Sequence, residues 1–131
     1  VRRVLWCTLD VASLRIDVWL TPQKAAPLNE ELGMWVAEEC AIYVAWELAK
    51  ELAESVLIHE LAHAGIFAAG TKLGDTRAKD SDVSDGEEDA VNVIGAVLYG
   101  ALKRNSMLRF PPRPITPADT ARVRRARKGI V

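Results

Sequence analysis

The pentapeptide His59-Glu60-Leu61-Ala62-His63 contains both histidines of this 131-residue chain. It lies inside 47–69 (ELAKELAESVLIHELAHAGIFAA), a stretch rich in Ala, Leu and Glu with no proline, which predicts one long helix. On a helix, positions i and i+4 share a face about 5–6 Å apart. Two imidazoles at that spacing can hold one zinc ion. Glu60 follows the first of them, where a carboxylate can take a proton from water at such a metal. The pattern is short, and the same residues would serve equally as ordinary members of a helix. The rest of the chain has to supply a third ligand and a scaffold.

Before the helix, Arg2–Leu9 and Leu14–Leu20 read as strands around a turn at Asp10–Ser13, the second with Leu14, Ile16, Val18 and Leu20 alternating with Arg15, Asp17 and Trp19. Residues 22–33 form a mostly polar connection, with a short helical turn at Asn29–Leu32, ending at Gly33. In 34–46, Trp35-Val36 and Ile42-Tyr43-Val44 are β-favouring clusters separated by Glu38-Glu39 at a turn. Along the 47–69 helix, Leu48, Leu52, Ser55-Val56, His59 and His63 fall on one face, and Gly70 suits its end. A polar loop, 70–84, leads to a second helix over 85–104. Asp85 and Glu88 suggest a capping box, acids fill its first turn, and Lys103-Arg104 complement the dipole of its last. Val91, Ile94, Val97, Leu98 and Leu102 are its expected buried stripe. Phe110-Pro111-Pro112-Arg113-Pro114 reads as a stiff linker, and Thr116-Pro117-Ala118-Asp119 as the start of a short C-terminal helix.

A catalytic zinc commonly takes three protein ligands. With no further histidine, and Cys7 and Cys40 outside any CxxC pattern, the third falls to a carboxylate. Glu87, Glu88 and Asp89 are available; their other use is to compensate the helix dipole. Hydrophobic patterning alone does not choose, because Glu87 projects onto the face of Val91, Ile94 and Leu98.

His59-Glu60-Leu61-Ala62-His63-Ala64 followed by Glu88-Asp89-Ala90-Val91-Asn92-Val93-Ile94-Gly95 resembles the gluzincin metallopeptidases. Thermolysin-like enzymes, and similarly small phage, prophage and ImmA/IrrE-type peptidases, carry a Glu on a following helix with an Asp or Asn four residues later. The resemblance covers roughly 38–102. It implies His59, His63 and Glu88 as zinc ligands and Glu60 as general base; Glu87 would put Val91 at the polar position of that register and stays an alternative third ligand on patterning alone. It also implies that Asn92 hydrogen-bonds the non-ligating nitrogen of His59. The strand Ala41–Ala45, with Ile42, Tyr43 and Val44, would border the cleft and offer its edge to an extended peptide or protein substrate. Larger relatives add a His or Tyr that stabilises the oxyanion; here the candidates are Tyr43, Tyr99 and Arg77.

The expected fold is α+β: a small, mostly antiparallel sheet packed on the HExxH helix and the Glu-bearing helix. Residues 1–108 form the zincin-like domain and 109–131 a Pro-rich linker and basic tail. The tail is a distinct electrostatic object: 101–131 carries nine Lys/Arg and one acid, whereas 1–100 carries eight Lys/Arg and seventeen acids. Without aromatic stacking residues it does not point to nucleic acid, and docking on the acidic body explains it as well. Asp80–Gly86 does not fit a calcium loop, since an EF-hand starting at Asp80 needs Gly where Asp85 stands and Glu where Val91 stands; an acidic loop near the cleft is the better reading. No apolar run approaches ~18 residues, so no membrane span is expected. The N-terminus does not read as a signal peptide, and two isolated cysteines suit a reducing, cytoplasmic setting. The leading expectation is a zinc peptidase; the alternative is a non-catalytic, zinc-stabilised binding or regulatory module.

Overall fold

The computed structural model describes residues 2–11, 13–69, 85–105, 107 and 109–129, without the side chains of 85 and 127–129. The expectations for the 70–84 loop, for Gly70 and Arg77, and for the Asp85 cap lie outside the described residues. The elements run β1 (Val4–Val11), β2 (Leu14–Thr21), β3 (Gly33–Val36), a 3-10 turn (Ala37–Glu39), β4 (Ala41–Ala45), α1 (Lys50–Ala68), α2 (Asp85–Arg104) and α3 (Pro117–Gly129). The fold is α+β. None of the described helices is long and apolar enough to cross a membrane.

The four strands form one mixed sheet in the order β1-β2-β4-β3. β1 and β2 are an antiparallel hairpin, β2 and β4 pair in parallel, and β3 folds back antiparallel on β4. β4 is therefore an interior strand with both edges paired, and all five of its residues are buried. This corrects the expectation that Ile42, Tyr43 and Val44 would offer a free edge. The edge on that side belongs to β3. The Ala45 N–H donates to the Leu32 carbonyl at 2.9 Å. In an antiparallel ladder bonded pairs alternate, so Met34 and Val36 bond β4 while the backbone groups of Gly33 and Trp35 point outward.

The sheet packs one face on α1. Ile16, Val18 and Leu20 of β2 and Ile42 and Val44 of β4 are fully buried there, in the strand alternation that puts every second side chain on one face. α1 answers with Ala53, Leu57, Glu60 and Ala64, while its buried Glu54 and His63 are covered from α2. The contact face is thus rotated from the expected one: Leu52 is about half exposed, because small Ala side chains at the contact let the helix lie close. β3 contributes to that closeness. A Cβ on Gly33 would sit 2.3 Å from Val56 Cγ1 and 3.2 Å from Glu60 Cγ, a contact only glycine allows. Val56 is β-branched and stiff in a helix, so Gly33→Ala is expected to destabilise by about 1–3 kcal/mol. Urea denaturation checks this, and Val56→Ala in the same chain should recover most of the loss.

α2 lies on α1. Of its expected stripe only Val91 is buried; Ile94 is 55%, Val97 65% and Leu98 51% exposed. The reason is a close helix crossing at Gly95, where an added Cβ would lie 3.9 Å from the His59 Cα. The contact turns on that small residue and leaves the larger apolar ones outside it. At the far end a buried ion pair joins the helices: Lys103 Nζ lies 2.9 Å from Glu54 Oε1, and Tyr99 Oη donates to the same oxygen at 3.2 Å.

The segment after α2 is stitched to the body. A bulge between Leu5 and Cys7 turns Trp6 inward, and its indole N–H donates to the Pro111 carbonyl at 3.0 Å. Phe110 packs between Trp6 and Tyr99. Arg113 donates to the carbonyls of Leu48 at 2.6 Å and Trp46 at 3.3 Å, where β4 passes into α1. Thr116 and Asp119 cap α3 reciprocally. Burial alone would raise the Asp119 pKa, but the Thr116 hydrogen bonds and the Arg113 and Arg122 charges outweigh it and lower it. Cys7 and Cys40 are free thiols.

Candidate metal centre

His59 and His63 project from the α1 face that meets the first turns of α2, and Glu88 reaches them from α2. Their ring nitrogens approach as Nε2 to Nε2 at 3.2 Å. Glu88 spans both: Oε1 is 2.9 Å from His59 Nε2 and Oε2 is 3.1 Å from His63 Nε2. With one ligand atom taken from each residue, the three donors all lie within 4.8 Å of one another. A tetrahedral zinc bound at about 2.0–2.1 Å separates its ligand atoms by roughly 3.3 Å, so two imidazole nitrogens and a carboxylate oxygen clustered this way could hold such an ion. Among the described residues no other group of three or more His, Cys, Asp or Glu donors has such geometry.

The support around the cluster differs from expectation. Glu87 does not join the donor set. Its Oε2 accepts a hydrogen bond from His63 Nδ1 at 2.8 Å, the nitrogen turned away from the site. A carboxylate there holds the Nδ1–H tautomer and leaves the Nε2 lone pair on the cluster side, where it could ligate a metal. Asn92 was expected to do this for His59. Instead it is exposed, and no side-chain hydrogen bond links it to His59 among the described residues. The adjacent pair Glu87-Glu88 thus divides the work: one orients, one is placed to ligate. Sequence reading kept Glu87 only as a rival ligand. The signal for its other role was its projection onto the buried side of α2.

Glu60 lies on the sheet side of α1, 8% exposed, with Oε1 4.0 Å from His59 Nε2. Burial pushes its pKa up to about 7; His63 opposes the shift, Glu88 adds to it, and a hydrogen bond from the Trp35 backbone opposes it. Glu60 therefore stands between the donor cluster and the outward-facing backbone of β3, as a carboxyl poised to exchange a proton near neutral pH.

The oxyanion candidates fall elsewhere. Gly33 pairs with Val44 and Trp35 with Ile42, which puts Ile42 and Val44 on the α1 face and Tyr43 on the opposite one. There the Tyr43 hydroxyl donates to Glu39 at 2.5 Å and accepts from Arg3 at 2.9 Å. Tyr99 is three turns of α2 beyond Glu88, bonded to Glu54 and to the Glu51 carbonyl. Beside the site, in their stead, are two aromatics that sequence reading did not single out for it. Trp35 of β3 packs edge-on against Phe67, one turn after His63, with ring centroids 5.8 Å apart, and Phe67 is 54% exposed. No family model, curated protein or solved structure matches the chain.

Proposed function

We propose that this chain is a zinc-dependent peptidase whose metal is held by His59, His63 and Glu88 and whose general base is Glu60. The observation that carries the reading is the position of Glu60: a buried carboxyl beside three clustered donors and against β3, whose outer edge pairs with no further strand among the described residues. Zinc, when bound, supplies Lewis acidity that polarises a carbonyl and acidifies water. Glu60 takes the proton as water attacks a peptide carbonyl and delivers it to the leaving amine. His63, locked by Glu87, presents a fixed lone pair to the metal. The outward N–H and C=O of Gly33 and the C=O of Trp35 are left to pair with an extended substrate backbone, the Trp35 N–H being held by Glu60. This replaces β4 by β3 as the substrate-bearing strand, and it selects unfolded or flexible segments over folded ones.

A structural zinc site would use four protein ligands and would have no need of an adjacent buried acid. Three donors among the described residues and the buried Glu60 beside them favour catalysis over the binding-module reading. The test is to measure zinc and peptidase activity together. Protein purified without chelator is expected to carry about one zinc per chain. Removing it by chelation should abolish cleavage of an unstructured reporter peptide, and restoring one equivalent should return it. Protein that binds no added zinc overturns the reading; protein that binds zinc tightly but cleaves no unstructured substrate supports the module instead.

A further inference from the structure

α3 is anchored at its root and bare beyond it. Thr116 and Asp119 close its first turn, and Arg113 before it is bonded to the β4–α1 junction. From Arg122 to Ala126 every residue is exposed. Docking on the acidic body does not account for the arginines there. Arg122 pairs with Asp119 of its own helix at 2.9 Å, and among the described residues Arg124 and Arg125 make no hydrogen bond or ion pair. The sequence continues with Arg127 and Lys128, so five of the seven residues over 122–128 are cationic.

What this arm lacks narrows its partner. A helix lying on a membrane needs a broad apolar face, and a protein interface needs an apolar centre. The only large apolar side chain in 117–126 is Val123. Single-stranded nucleic acid is held largely by stacking on aromatic rings, and α3 contains none. A duplex makes no such demand, because its phosphates supply most of the attraction. Arginine, four of the five cations, has the planar fork that matches phosphate oxygens. At 100° per residue, Arg122, Arg124 and Arg125 fan across about 160° of the helix surface, as contact with both walls of a groove requires. A helix about 10–12 Å across fits the B-DNA major groove, about 12 Å wide, but not the narrow one of duplex RNA. We propose that α3 is an arm that enters the major groove of duplex DNA and holds it through the phosphates. The acid-rich remainder of the chain is repelled by the same polyanion, so the arm leads and the body faces away.

Fluorescence anisotropy of a short labelled DNA duplex with the full chain tests it. Affinity should fall roughly 40–500-fold between 50 and 200 mM salt, as contacts to three to five phosphates dictate. Arg124→Ala/Arg125→Ala places the best helix former at two exposed positions, so α3 should persist by circular dichroism. Binding should nevertheless weaken at least about tenfold, with the salt slope shallower by about two. Arg124→Lys/Arg125→Lys should keep the slope. The same DNA as a single strand, an RNA duplex, polyglutamate and phosphatidylserine vesicles should each bind at least about tenfold more weakly than the duplex. No binding of the duplex at the lower salt, binding indifferent to the double alanine change, or equal binding of any of those four probes would overturn the proposal.

Discussion

His59→Ala and Glu88→Ala are each expected to weaken zinc binding by more than about 100-fold, as loss of one of three donors leaves a two-point site. The geometry also ranks the neighbours. Glu87→Ala removes the acceptor on His63 Nδ1 but no donor of the cluster, so it should cost about 10–100-fold. Asn92→Ala, with no contact to His59, should leave affinity near that of the parent chain. Isothermal titration of chelator-treated protein measures all four. The ranking is informative because the third-ligand question has two answers with opposite outcomes. If Glu87 rather than Glu88 held the metal, Glu87→Ala would be the more damaging of the two. If zinc binds as well without His59 as with it, there is no centre at these residues at all.

Glu60→Gln separates binding from chemistry. The amide keeps the shape of the side chain but cannot accept the proton, so zinc content should be unchanged while turnover falls by about 10²–10⁴-fold. The pair of results matters more than either one. Lost activity with lost zinc would make Glu60 a residue that supports the site; full activity with zinc retained would remove it from the mechanism. The environment that makes the prediction sharp is burial against β3. A carboxyl in that position is costly to keep charged, and burial outweighs the help it gets from His63 and the Trp35 backbone.

How much of this was legible in the sequence depended on the range of the interaction. Strand and helix identities came through, including β3 and β4 in the ambiguous 34–46 run and the full span of α2, since they rest on local patterning. That His59, His63 and Glu88 come together was legible because i, i+4 spacing is a property of one helix and the Glu88 register of another. The misses were all tertiary. Whether β4 sits inside the sheet or at its edge is decided by a parallel pairing with β2, which no local pattern encodes. The buried faces of α1 and α2 were misjudged because their contacts form at small residues, Gly33, Ala53 and Gly95, which hydrophobic counting passes over. A glycine within a strand is a recognised mark of close approach, and Gly33 carried that mark.

The hydrogen bond from Trp6 to Pro111 joins positions 105 residues apart, and Arg113 ties the chain's last quarter to the β4–α1 junction. Such closures come late, since a contact of high sequence separation forms only after the intervening chain has been gathered. During synthesis the first strand therefore waits, with its bulged tryptophan uncovered, until Pro111 and Arg113 have emerged. The proline-rich segment is the clasp that finishes the body, and the sheet and α1 are closed only once it is in place.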